Sequence, residues 1–98
     1  MILPVFVTVA PYCSPDGQIE VDVLAEGDER WAVEVKWRGK VAGEKELAAL
    51  LQKARTLDAQ PWFISRDGFT PAARIHAAEH DVLISSRTDV EKLERYLV

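Results

Sequence analysis

Asp22, Glu34 and Lys36 are the residues whose types and spacing can do chemistry. Glu34 and Lys36 sit two apart in Trp31-Ala32-Val33-Glu34-Val35-Lys36-Trp37-Arg38. Successive side chains alternate across a strand. Trp31, Val33, Val35 and Trp37 therefore share one face, and Glu34, Lys36 and Arg38 share the other. Glu20 and Asp22 lie one hairpin upstream, in a run where Ile19, Val21 and Val23 alternate with polar residues. If the apolar faces of both strands build the core, two or three carboxylates and one ammonium converge on the other side. Such carboxylates repel, and burial makes the repulsion worse. A divalent cation relieves it, and carboxylate oxygens suit magnesium or manganese, which keep several waters. A lysine beside the ion can orient a bound water and stabilise charge on a phosphate, which suits hydrolysis of a phosphodiester. On this reading Asp22 and Glu34 hold the metal, with Glu20 as auxiliary. Lys36 yields its salt partner to the ion and faces the substrate.

The elements that must position these residues follow from the pattern. Leu3 to Ala10 is apolar and β-branched and reads as a first strand, at an edge because of Pro4. Pro11 to Gly17 is dense in turn formers. Gln18 to Ala25 is a second strand, Glu26-Gly27-Asp28-Glu29 a hairpin turn, and Trp31 to Arg38 the third strand. The period then changes: Leu47, Leu50, Leu51, Ala54 and Leu57 predict an amphipathic helix over 44–57. Its acids stand at the start and its bases near the end, which suits the helix dipole. Pro61 to Ser65 is a short buried strand, reached by a helical crossover and therefore expected parallel to the third. Thr70-Pro71 is an N-cap and first-turn proline opening a helix to about Glu79. Val82 to Ser85 is a last strand, and Thr88-Asp89-Val90-Glu91 has capping-box spacing for a final helix. The predicted order is β-β-β-α-β-α-β-α, an α/β chain with a mixed sheet and helices packed on it.

With 98 residues the chain is one domain, and its 48% apolar and 29% charged content is ordinary for a globular one. No apolar run approaches a membrane span, and the N-terminus has no secretory signature. A lone cysteine, Cys13, fits a reducing cytoplasm and the role of a small half-buried hydrophobe. The net charge of −4 argues against a simple basic nucleic-acid binder. Its distribution is uneven, with five acids and no base over 1–28, against seven bases and four acids over 29–55. The two regions meet around Glu34 and Lys36.

Asp22, a hairpin, and then Glu34-Val35-Lys36 resembles the PD-(D/E)xK nuclease superfamily, which includes restriction endonucleases and archaeal Holliday-junction resolvases. The resemblance covers roughly residues 17–85. Glu20 to Glu26, Glu34 to Arg38 and Ser65-Arg66-Asp67-Gly68-Phe69-Thr70 look most like nuclease-like domains at the C-terminus of archaeal and bacterial ATPases. It implies a restriction-endonuclease-like fold and magnesium-dependent cleavage of DNA. Asp22 and Glu34 would be metal ligands, and Lys36 would be catalytic. Val21 stands where the motif's proline would be. The family fold opens with a helix that often supplies another acidic ligand, whereas this chain starts almost directly in a strand. The helix is then missing from a fragment, supplied by a partner, or lost with part of the site. Glu20 is the candidate substitute ligand.

Other residues carry weaker readings. Arg38, Lys40, Lys45 and Lys53 form either a phosphate-binding strip or a solvated surface. Gln52 sits where some relatives of the superfamily have a helix glutamine facing the site. Trp31, Trp37 and Trp62 read as core, with Trp37, between Lys36 and Arg38, the best stacking candidate. His76 and His80 have metal-ligand spacing on a helix but no third ligand in sequence, which favours a surface or capping role. Ser65 and Ser85 end buried strands with no base beside them. A non-catalytic docking or DNA-positioning domain, linked to an ATPase or a toxin-type system, is the alternative to a nuclease. Under either reading a homodimer is expected, to cover an exposed strand edge and to pair two sites on a duplex.

Overall fold

A computed structural model describes residues 6–37 and 40–88, with side chains from Val9 onward. Five strands form one mixed sheet: β1 (Phe6–Cys13), β2 (Glu20–Gly27), β3 (Arg30–Lys36), β4 (Gln60–Ser65) and β5 (Leu83–Ser86). They lie side by side in chain order. β1, β2 and β3 pair antiparallel, as hairpins require, and β3, β4 and β5 pair parallel. The crossovers are α1 (Glu44–Thr56) and α2 (Pro71–His80). This is the predicted α/β order. The last predicted helix, from Thr88 onward, lies outside the described residues but for its first residue, and so does Arg38.

α1 and α2 pack on each other and on one sheet face. Leu47, Leu50, Leu51 and Ala54 of α1 meet Ala73 and Ala77 of α2 over Val21, Ala32 and Phe63. Leu47 and Leu50 are fully buried. α1 begins with the glutamate half of a capping box: the Gly43 N–H donates to Glu46 Oε2 at 2.8 Å, and glycine at the N-cap has no side chain to return the bond. α2 begins where Thr70 Oγ1 accepts from the Ala73 N–H at 3.1 Å, with Pro71 in the first turn. The segments leading into the two helices are joined: the Ala42 N–H donates to Gly68 O and the Thr70 N–H to Ala42 O, both at 3.0 Å. These bonds fix the start of α1 beside the carboxyl ends of β3 and β4.

The helix-packed core lies on the opposite side of β3 from the one the alternation predicts, while Val33 on the predicted face is buried as well. Ala32 is fully buried under the helices, whereas Val35 and Trp37 are 41% and 43% exposed. Parallel register puts Glu34 level with Phe63 and Lys36 level with Ser65, on the helix-covered face. Both crossovers lay their helices over that face, and near the end of β3 α1 meets its charged residues with charged residues of its own. Trp31 lies on the other face, packed edge-on against Trp62 with ring centroids 6.1 Å apart. The Trp62 indole N–H donates to Ser85 Oγ at 3.0 Å.

β1 runs through Pro11, Tyr12 and Cys13, where turn formers predict a loop; the turn itself occupies Ser14 to Gly17. Between Ala10↔Leu24 and Tyr12↔Val21 the pairing slips by one residue. Asp22 and Val23 together oppose Pro11, which is a β-bulge. Proline has no N–H to give to a ladder, so an edge strand opposite a bulge accommodates it. The bulge puts Val21 and Leu24 against the same core and releases Asp22 from simple alternation.

Candidate active site

The β2–β3 ladder runs from Glu26↔Arg30 to Val23↔Val33. Beyond it, Asp22 Oδ2 accepts the Val35 N–H at 2.8 Å, a side chain doing the work of a backbone carbonyl. This bond ties Asp22 to the strand that carries Glu34 and Lys36, and it leaves one carboxylate oxygen to serve a ligand. Asp22 and Glu34 line one open cleft together with Glu20, Tyr12, Cys13 and Lys53. Burial, and then the negative charge of Asp22, push the Glu34 carboxyl above its usual range, against the opposing pull of Lys53.

α1 supplies the counter-charges. Lys53 Nζ lies 3.4 Å from Glu34 Oε1. Lys36 Nζ pairs with Glu46 Oε1, whose carboxylate also closes the capping box. The Lys36 hydrogen bond is the leading cause that holds Glu46 below the usual glutamate range. Lys36 therefore has a partner of its own on α1, where the sequence suggests a lysine freed by metal uptake from Glu34. Glu34 and Lys36 are thus each paired with a residue of α1.

The other sequence candidates fall around this centre. Glu20 is exposed, accepts weakly from Cys13 Sγ at 3.8 Å, and lies at the rim of the cleft. Cys13 is exposed rather than half-buried. Lys40 and Lys45 are exposed, and Lys40 contributes to the low Glu46 carboxyl. Gln52 is exposed on α1, about a third of a turn from the face that carries Glu46 and Lys53. His76 and His80 stand with ring centroids 4.4 Å apart on α2, away from the cleft residues.

Glu46 and Lys53 carry a larger share of the site than their sequence reading assigns. Two signals identify them. Glu46 stands three residues after Gly43, at capping-box spacing, and Lys53 follows Glu46 by seven, two turns along one helix face.

The donor set fits a hard divalent ion, though sparingly. Among the described residues no three His, Cys, Asp or Glu side chains are placed to hold a metal together. Two carboxylates that repel each other in a half-buried cleft still meet the requirement of magnesium, which takes one or two and keeps water or phosphate for the rest.

A restriction endonuclease family model, Mrr_cat, matches residues 6–93, and the chain belongs to that family. It is a nuclease-like domain of the restriction-endonuclease-like superfamily, a group that generally uses divalent metals and acts on DNA. The crystal structure of AF1548, a protein of unknown function, is similar at 25% identity with a TM-score of 0.63. The match covers 81% of this chain and 47% of that one, so the chain spans about half the length of this relative. No curated protein matches. Among the described residues no helix is long and apolar enough to cross a membrane.

Proposed function

We propose that this chain is a magnesium- or manganese-dependent endonuclease domain that hydrolyses phosphodiester bonds of DNA. The observation that carries the reading is the convergence of Asp22 and Glu34 on one cleft, with Lys36 two residues along β3. Family membership supports DNA as the substrate. Asp22 and Glu34 would hold the ion. When bound, the metal supplies Lewis-acid activation of the phosphate and of an attacking water. Lys36 stabilises negative charge on the phosphate and reaches it by leaving Glu46. Glu20 is an auxiliary carboxylate at the rim. Arg38, Lys40 and Lys45 would contact the DNA backbone, and Gln52, two turns along α1 from Lys45, would be an auxiliary contact. The test is cleavage of linear, branched and single-stranded DNA with either metal. Activity lost in Asp22→Ala and Lys36→Ala is expected; no cleavage of any substrate by the wild-type chain rejects the enzyme reading.

A second reading is favoured by one observation: both lysines of the site are held in ion pairs with helix and strand carboxylates. The domain would then position DNA or dock a partner without cutting. The relative's greater length supports a place in a larger protein, with an ATPase as partner or fused domain. Calorimetry with manganese separates the two, since a docking module binds none and is indifferent to Asp22→Ala. A cytoplasmic homodimer fits either reading, and sedimentation that shows a monomer at high concentration rejects the dimer.

A further inference from the structure

We propose that Lys53 is the built-in counter-cation of the Asp22–Glu34 pair, so that a divalent ion enters the cleft by displacing its ammonium from Glu34. This rests on the metal-site reading above. Lys53 Nζ lies 3.4 Å from Glu34 Oε1, and both side chains are half-buried, at 34% and 24% exposure. Lys53 lines the same cleft as Asp22 and Glu34, so its ammonium shares the space that an ion held by those carboxylates would enter.

Charge balance gives the direction of exchange. Two carboxylates carry two negative charges, and one ammonium offsets half of them. A dication matches the pair, but it and an ammonium at the same carboxylate repel. Lys53 is the group that can move, because its charge sits on a flexible four-carbon stem. Lys36 does not fill this role, since its ammonium pairs with Glu46 and not with Glu34. The salt bridge then acts as a latch that keeps the carboxylates apart from adventitious cations until a divalent ion outcompetes it.

The experiment is calorimetric titration of the whole chain with manganese, without DNA, on wild type, Lys53→Met, Lys53→Arg and Asp22→Ala. Thermal melts confirm that each variant is folded, and Lys53→Gln replaces Lys53→Met if the latter fails. Removing the ammonium should tighten manganese binding roughly three- to thirtyfold, the range set by a unit charge near a dication in partly screened surroundings. Lys53→Arg should remain close to wild type, and Asp22→Ala should lose the site. Binding by Lys53→Met alone, with none by wild type, also supports the inference. Equal affinity of wild type and Lys53→Met overturns it and leaves the metal site standing. If neither binds, the metal site fails and the inference falls with it.

Discussion

Glu46 and Lys36 are an ion pair across the β3–α1 connection, and the same carboxylate closes the first turn of α1. A residue proposed to meet the substrate is thus held by the residue that starts the helix. Glu46→Gln keeps an acceptor for the Gly43 N–H and should cost less than about 0.5 kcal/mol, because the ion pair is partly exposed. Glu46→Ala loses the cap as well and should cost about 1 kcal/mol. Urea denaturation at neutral pH compares the two; equal losses would mean that the cap contributes nothing.

Asp22 has a structural task separable from its charge. Asp22→Asn can still accept the Val35 N–H and should unfold at nearly the wild-type urea concentration. Asp22→Ala leaves that N–H without its acceptor and should cost about 1 kcal/mol. Both should lose manganese binding. Binding retained by Asp22→Asn would remove the carboxylate from the site.

The raised Glu34 carboxyl predicts a pH dependence of opposite sign to the usual one. In the unfolded chain Glu34 titrates near ~4.3, and in the folded chain it titrates higher, so the native state binds its proton more tightly. Its charged form thus disfavours the fold, an effect absent below the unfolded value and complete above the folded one. Glu34→Gln removes it. The variant should match or exceed wild-type stability at pH ~7, by up to about 1 kcal/mol, and lose that advantage as pH falls below ~4.3. Paired urea melts at the two pH values test this. A variant weaker than wild type at neutral pH would mean that the Lys53 pair outweighs burial and Asp22.

Ser85 is buried and accepts the Trp62 indole N–H. Ser85→Ala strands that donor and should destabilise by about 1–3 kcal/mol, without changing metal binding. A smaller loss would show that the indole finds water instead.

Much of the frame was legible in the sequence. The helix spacing of Leu47, Leu50, Leu51 and Ala54 located α1 almost to the residue, and Thr70-Pro71 located the start of α2. Asp22, Glu34 and Lys36 could be singled out because a hairpin must bring neighbouring strands together. The face of β3 that builds the core was not legible. Alternation makes Trp31, Val33, Val35 and Trp37 the obvious choice, but the crossovers settle which face is covered, and they cover Ala32, Glu34 and Lys36. The partners of the charged pair were hidden for the same reason, since Glu46 and Lys53 look like ordinary helix-end charges until α1 is laid across β3. The slip at Asp22–Val23 was also unreadable, because a bulge leaves no mark on the composition of its own strand. Pro11, on the facing strand, was its only trace.

That slip limits how the hairpin can be transplanted. Val21 and Leu24 reach the same core although they are three residues apart, so a designer who copies β2 onto a new scaffold by strict alternation would turn one of them outward. Deleting a single residue to regularise the strand would straighten it and swing the Asp22 carboxylate off the Val35 N–H. The portable unit is therefore β2 together with Pro11 of its neighbour, moved as one piece.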